Sequence, residues 1–223
     1  MKENIDLDGL TKRTRRLEFE DGLIDFQNAL VFLVLGLLAS VFMSEAGITM
    51  YMRGMLFNSE VTTIALVALI PMVILITFGV RRLITSYRRN VLWRAIGEIE
   101  PLRWQIDTRY NVLAGLAWLA VVIVGWVFAS ASGGIFDNGI RIFIGASGIA
   151  TGLIYYLVGR SLEVVRYRWV GACGALLSAA LIPLPLDAST GWLLFGIVWS
   201  VTLSISGAFG LRGMLRRIEK GAQ

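Results

Sequence analysis

At 223 residues the chain is 56% hydrophobic with a mean hydropathy of +0.69, an apolar share above that of water-soluble domains, so the composition points to a polytopic membrane protein. It has no histidine and one cysteine, Cys173, which excludes disulfides within the chain and zinc sites of the Cys/His kind. The net charge of +5 and pI near 9.7 would suit nucleic acid, but the basic residues lie beside apolar runs, where they orient spans and meet anionic lipid headgroups; no nucleic-acid partner is expected.

Residues 1–25 carry Lys2, Lys12, Arg13, Arg15 and Arg16, then Glu18, Glu20, Asp21 and Asp25, a polar opening unlike a cleavable signal peptide. Leu7, Leu10, Thr14 and Leu17 recur at helical spacing and predict an amphipathic helix from Leu7 to Glu20 on the inner membrane surface, weakened by Gly9 and Gly22. A first span is expected at 26–44. An outer loop at 45–60 follows, mostly apolar but holding Gly47, Arg53 and Gly54, and reads as partly interfacial. The second span, 61–80, contains Pro71, which is expected to kink it. A hairpin at 81–110 then gathers Arg81, Arg82, Arg88, Arg89, Arg94, Arg103 and Arg109. Leu83 to Ile96 should continue the second span as helix, with Trp93 near the headgroups and a break at Pro101. Spans three to six are expected at 111–130, 140–159, 169–186 and 191–211, joined by turns at 131–139 and 187–190, with a tail at 212–223.

Charge fixes the expected orientation. If the hairpin is cytoplasmic, alternation puts 19 of the 21 Lys and Arg on the inner side and leaves only Arg53 and Arg141 outside. The expected fold is therefore an all-α six-helix bundle in a bacterial-type inner membrane, with both termini cytoplasmic. The even-numbered spans end alike, in Phe78-Gly79-Val80-Arg81, Val158-Gly159-Arg160 and Phe209-Gly210-Leu211-Arg212, while spans three and five open beside Arg109-Tyr110 and Tyr167-Arg168. Three duplicated hairpins would produce this pattern; so would a common way of ending spans with glycine before an inner arginine.

Helices in lipid associate by close packing at small residues. Gly145, Gly148, Gly152 and Gly159 share one face of span four, and Gly148/Gly152 has GxxxG spacing. Gly171, Gly174 and Ser178 repeat the rhythm in span five, as do Ser200, Ser204 and Gly207 in span six. Spans four, five and six are therefore expected to form the tight core.

Candidate chemistry is sparse. Acidic or basic residues at mid-membrane mark ion-coupled transport, and the expected spans hold none. Gly145-Ala146-Ser147-Gly148, at the outer end of span four, resembles the nucleophile motif of rhomboid intramembrane proteases. That chemistry pairs the serine with a histidine on the sixth span; with no histidine, the resemblance implies at most a catalytically dead rhomboid-like fold. Met50, Met52 and Met55, with Met43 before them, have the thioethers that suit Cu(I), but Arg53 sits among them and methionine also serves as an adaptable apolar residue. Glu18, Asp21 and Asp25 share a helical face; they can face water, salt-bridge to arginines or bind a divalent cation. No cofactor, metal or catalytic residue is expected. The favoured class is a non-enzymatic accessory, scaffold or regulatory membrane subunit. It would meet anionic headgroups or a protein partner through Arg81, Arg82, Arg88, Arg89, Trp93, Arg94 and Arg103, and the alternative is a small-solute transporter, channel or permease subunit.

Overall fold

A computed structural model describes residues 19–88, 90, 116, 119–120, 123–124, 127 and 139–221. Most of the expected amphipathic helix, Glu18, Arg89, Trp93, Arg94, Arg103 and most of the third expected span lie outside them. Among the described residues every regular element is a helix: α1 Leu23–Met43, α2 Glu45–Phe57, α3 Ser59–Tyr87, α4 Ile140–Ser161, α5 Val165–Ala180 and α6 Ala188–Gly221. Three of these, α1, α4 and the Ala188–Glu219 part of α6, are long and apolar enough to cross a bilayer.

Local chemistry explains where the helices start and stop. Gly22, at φ +76°, turns the chain into α1 where a side chain would be strained, and the Asp21 carboxylate accepts the Leu23 N–H at 2.9 Å. The helix thus begins before the apolar run and carries Asp25 in its first turn. Ser44 ends α1, and its hydroxyl accepts the Gly47 N–H at 3.0 Å to cap α2, so most of the expected outer loop is helical. α3 continues through Pro71 as one 29-residue helix. α5 stops at Ala180, short of the expected end at 186, because Pro183 and Pro185 follow and the chain passes into turns. Arg141 donates from Nη1 to the Leu184 carbonyl at 3.2 Å, satisfying backbone that those turns leave without a helical partner. α6 has 34 residues, about 50 Å at helical rise, and runs through most of the expected tail.

Cross-links define the two ends of the bundle. Arg88 beyond α3, Arg166 at the start of α5 and Arg217 on α6 all reach residues 19–25 at the start of α1. At the other end Ser189 donates to the Ser40 carbonyl at 2.9 Å.

α1 lies along α6, and α4 along α5. A Cβ at Gly36 would stand 2.6 Å from the Gly196 Cα, and one at Gly207 would stand 2.9 Å from the Gly22 carbonyl oxygen. In the other pair, Gly152 faces the Gly171 carbonyl, Gly159 faces Tyr167 and Arg168, and Gly148 and Gly145 meet Ser178 and Ile182. Gly174 makes room for the Trp199 ring. Ser204 is half-buried on α6. The core is correspondingly wider than the three-span core read from glycine rhythm. α1 belongs to it through Ala29 and Phe32, around the buried Ile144, Phe195, Trp199 and Leu203. The sequence signal missed α1 because Gly36 is the one glycine of its span, with Ala39 and Ser40 rather than a second glycine three and four residues away.

Packing and capping can each be tested by substitution. Gly36→Leu should destabilise the protein by about 1–3 kcal/mol through overpacking, read as a fall in detergent melting temperature. Gly79→Leu, at a glycine inside α3 where a Cβ would meet nothing within 4 Å, should leave stability unchanged or raise it by up to about 1 kcal/mol through helix propensity. Asp187 caps α6 by accepting the Thr190 N–H at 3.0 Å, and the Thr190 hydrogen bonds hold its carboxyl below the ordinary value. Because the folded-state value is the lower one, the cap's stabilisation is present above the unfolded carboxyl's value of about 3.9 and is lost as pH falls through the folded value. The melting-temperature difference between the native protein and Asp187→Ala should therefore hold constant from roughly pH 5 to roughly pH 7 and vanish in stronger acid, with a cap worth about 1 kcal/mol.

Candidate functional site

The charged cluster at the arginine end is built from four parts of the chain. Asp21 and Asp25 lie one helical turn apart at the start of α1, and both are fully buried. Arg88, just past α3, grips Asp21 with a fork: Nε is 2.5 Å from Oδ2 and Nη2 is 2.8 Å from Oδ1. Arg166, in the first turn of α5, sits 3.4 Å from Asp25 and donates to the Phe19 carbonyl and, at 3.1 Å, to the Glu20 carbonyl. Asp25 also accepts hydrogen bonds from the Tyr167 hydroxyl and, at 2.8 Å, from Ser206 on α6. Arg217 pairs with Glu20 at 2.8 Å on the exposed rim. The Arg166 guanidinium lies over the Tyr167 ring at 5.2 Å, and any side chain at Gly210 would occupy its place.

Electrostatically the centre is a neutral quartet of two carboxylates and two guanidiniums. A lone carboxylate there would be costly, because water is excluded and no other full charge would offset it. The two acids also lie at the N-terminal end of α1, where the helix dipole favours negative charge. Below the quartet, Asn28 donates to the Tyr155 hydroxyl at 2.9 Å, Tyr155 stacks on Trp199 at 5.6 Å, and Trp199 donates from Nε1 to Ser178 at 3.1 Å. Phe32 also stacks against Trp199, at 5.3 Å. Aromatic rings and their polar tips thus sit between α1, α4, α5 and α6.

The structure sorts the residues singled out in the sequence. Of the three acids, Asp21 and Asp25 do not face water: each is buried against an arginine distant in sequence. Arg88 is not a lipid or partner contact, since it is buried against Asp21. Arg81 and Arg82 are exposed near the end of α3. Ser147 is buried and its hydroxyl has no hydrogen-bond partner among the described residues, while its carbonyl accepts the Thr151 hydroxyl at 2.8 Å. Met43, Met50, Met52 and Met55 are exposed, and the two-residue step from Met50 to Met52 turns them to different sides of α2. No group of three or more His, Cys, Asp or Glu suited to a metal occurs among the described residues.

Sequence reasoning missed Arg166, Tyr167, Ser206 and Asn28 as members of this site. The available signal was the four-residue spacing of Asp21 and Asp25, which demanded cationic partners on whatever packed against that face. No family model, curated protein or solved structure matches the chain.

Removing one member of the buried pair should cost more than removing both. Asp21→Leu and Arg88→Met should each destabilise the protein by about 3–5 kcal/mol, because each leaves an uncompensated buried charge. The Asp21→Leu/Arg88→Met double variant should recover most of that loss, and detergent melting of all four proteins in a double-mutant cycle measures it.

Proposed function

We propose that this chain is a six-span inner-membrane protein with both termini in the cytoplasm, acting as a non-enzymatic accessory or scaffold subunit. Its orientation rests on the lysine and arginine count. The end that carries Arg88, Arg166 and Arg217 is then the cytoplasmic one. Its working surface is the exposed rim of arginines there, including Arg81, Arg82, Arg160, Arg212 and Arg216, facing anionic headgroups or an acidic protein partner.

The observation that carries this reading is the interior itself. The space between α1, α4, α5 and α6 is occupied by stacked aromatic rings and a charge-neutral, hydrogen-bonded quartet, as suits a rigid platform. A rigid bundle with exposed cations at its rim presents charge outward and holds its own shape.

Asp25 favours a second reading, small-solute or proton-linked transport. An ionisable side chain buried within a candidate spanning helix and ringed by hydroxyls is a common device for carrying charge.

One pair of measurements separates the two. Purification in mild detergent should recover a stoichiometric protein partner that is lost when Arg82 and Arg216 are both changed to Glu, with the melting temperature unchanged. Liposomes holding this protein alone should show no solute or proton flux above empty vesicles. Flux abolished by Asp25→Asn would replace the scaffold reading with the transport reading.

A further inference from the structure

α2 poses a problem of its own: it is a 13-residue helix with no buried residue, and Met50 and Phe57 are 78% and 86% exposed. A short helix bearing that many apolar side chains is not stable with every face in water. Gly47 and Gly54, seven residues apart, lie on one face. Gly47 is pressed against the Val41 carbonyl at the end of α1, and Gly54 against the Thr62 side chain in the first turn of α3. That face is therefore turned toward the ends of α1 and α3. Glu45, Thr49 and Arg53, each four residues from the next, form a polar strip on the side away from the glycines at about 100° per residue, and they share that side with the exposed Leu56 and, at its edge, Met52. Ile48, Tyr51 and Met55 occupy one flank between strip and glycines, and Met50 and Phe57 the other. Val41 and Met43 at the end of α1 and Val61 and Ile64 at the start of α3, the segments α2 joins, are exposed as well.

We propose that α2 lies in the plane of the membrane at the end opposite the arginine rim, its flanks sunk into the boundary between acyl chains and headgroups. The partner this surface fits is a lipid monolayer. The polar strip stays at headgroup level, where Arg53 reaches lipid phosphate while its stem remains in the apolar layer. The unbranched methionines suit this position, because they adapt to a disordered lipid boundary as they do to irregular protein surfaces. α2 then braces α1 and α3 at a fixed depth. The proposal rests on α1 crossing the bilayer and on the second span expected within α3, but not on the scaffold or transport assignment.

The test uses the full chain carrying Cys173→Ser, reconstituted in phosphatidylcholine–phosphatidylglycerol vesicles, with single nitroxide-labelled cysteines at positions 49, 50 and 57. A fourth label replaces Leu35 in the middle of α1 as a control for the span itself. Collision rates with oxygen, which concentrates in lipid, are compared with those of a water-soluble nickel chelate. Labels at Met50 and Phe57 should favour oxygen severalfold over the label at Thr49, which should favour nickel. Nickel-rich collisions at all three α2 positions, with an oxygen-rich label at Leu35, would put the helix in water and overturn the proposal. Shielding of Met50 and Phe57 from both reagents would overturn it too, since a protein surface would then be covering them. A nickel-rich label at Leu35 would instead remove the membrane-span reading on which the proposal rests.

Discussion

The neutralisation of Asp21 and Asp25 is the constraint on which the rest of the bundle depends. A carboxylate without a partner in that setting would be protonated or would keep the helices apart, so α1 can dock only where guanidiniums meet it. Arg88 and Arg166 come from separate parts of the chain, so docking α1 also fixes the end of α3 and the start of α5. Ser206 and Gly207 then set the height of α6, one by bonding Asp25 and the other by letting α6 approach Gly22. Directional bonds thereby specify a register that nonpolar packing alone leaves loose.

Away from that end, the same helices are held by shape. Gly36 against Gly196 and Gly152 against Gly171 bring backbones together, where dispersion and weak polar contacts replace a hydrophobic driving force that lipid does not supply. Trp199 takes the space that Gly174 leaves, satisfies its N–H on Ser178, and stacks with both Tyr155 and Phe32. Polar register at one end and small-residue packing along the length are complementary: the first resists sliding, the second resists separation.

How much of this is legible from residues alone depends on the range of each signal. Helical class and the apolar stretches of α1, α4 and α6 are readable because hydropathy is a local sum over about 20 residues. The glycine face of α4 is readable for the same reason, as a spacing within one element. The role of Gly36 is not, because a lone glycine acquires meaning only from the helix opposite it. The expected first span opens at Phe26, just after the last acid, which leaves Asp25 outside it, whereas the true helix start is set by Gly22 and the Asp21 carboxylate. Its partners Arg166, Tyr167 and Ser206 stand 141, 142 and 181 positions away, and no local pattern encodes such pairings. α2 looks like a loop in sequence because Gly47, Arg53 and Gly54 interrupt a short, mostly apolar segment.

Counting cations also conceals a division of labour among them. The positive-inside count treats Arg88 and Arg166 as equal to Arg81 or Arg216, yet the first two spend their charge inside the protein and contribute little field to the surface. They can still act during insertion, before Asp21 and Asp25 are folded against them, when every cation opposes translocation alike. Arg141 shows the converse: standing at the other end, it is tied to the Leu184 carbonyl, so a residue that counts against the orientation rule has a structural reason to be there. The charge at the surface is therefore that of the exposed rim, and its strength is set by how completely the two aspartates have neutralised the arginines beneath it.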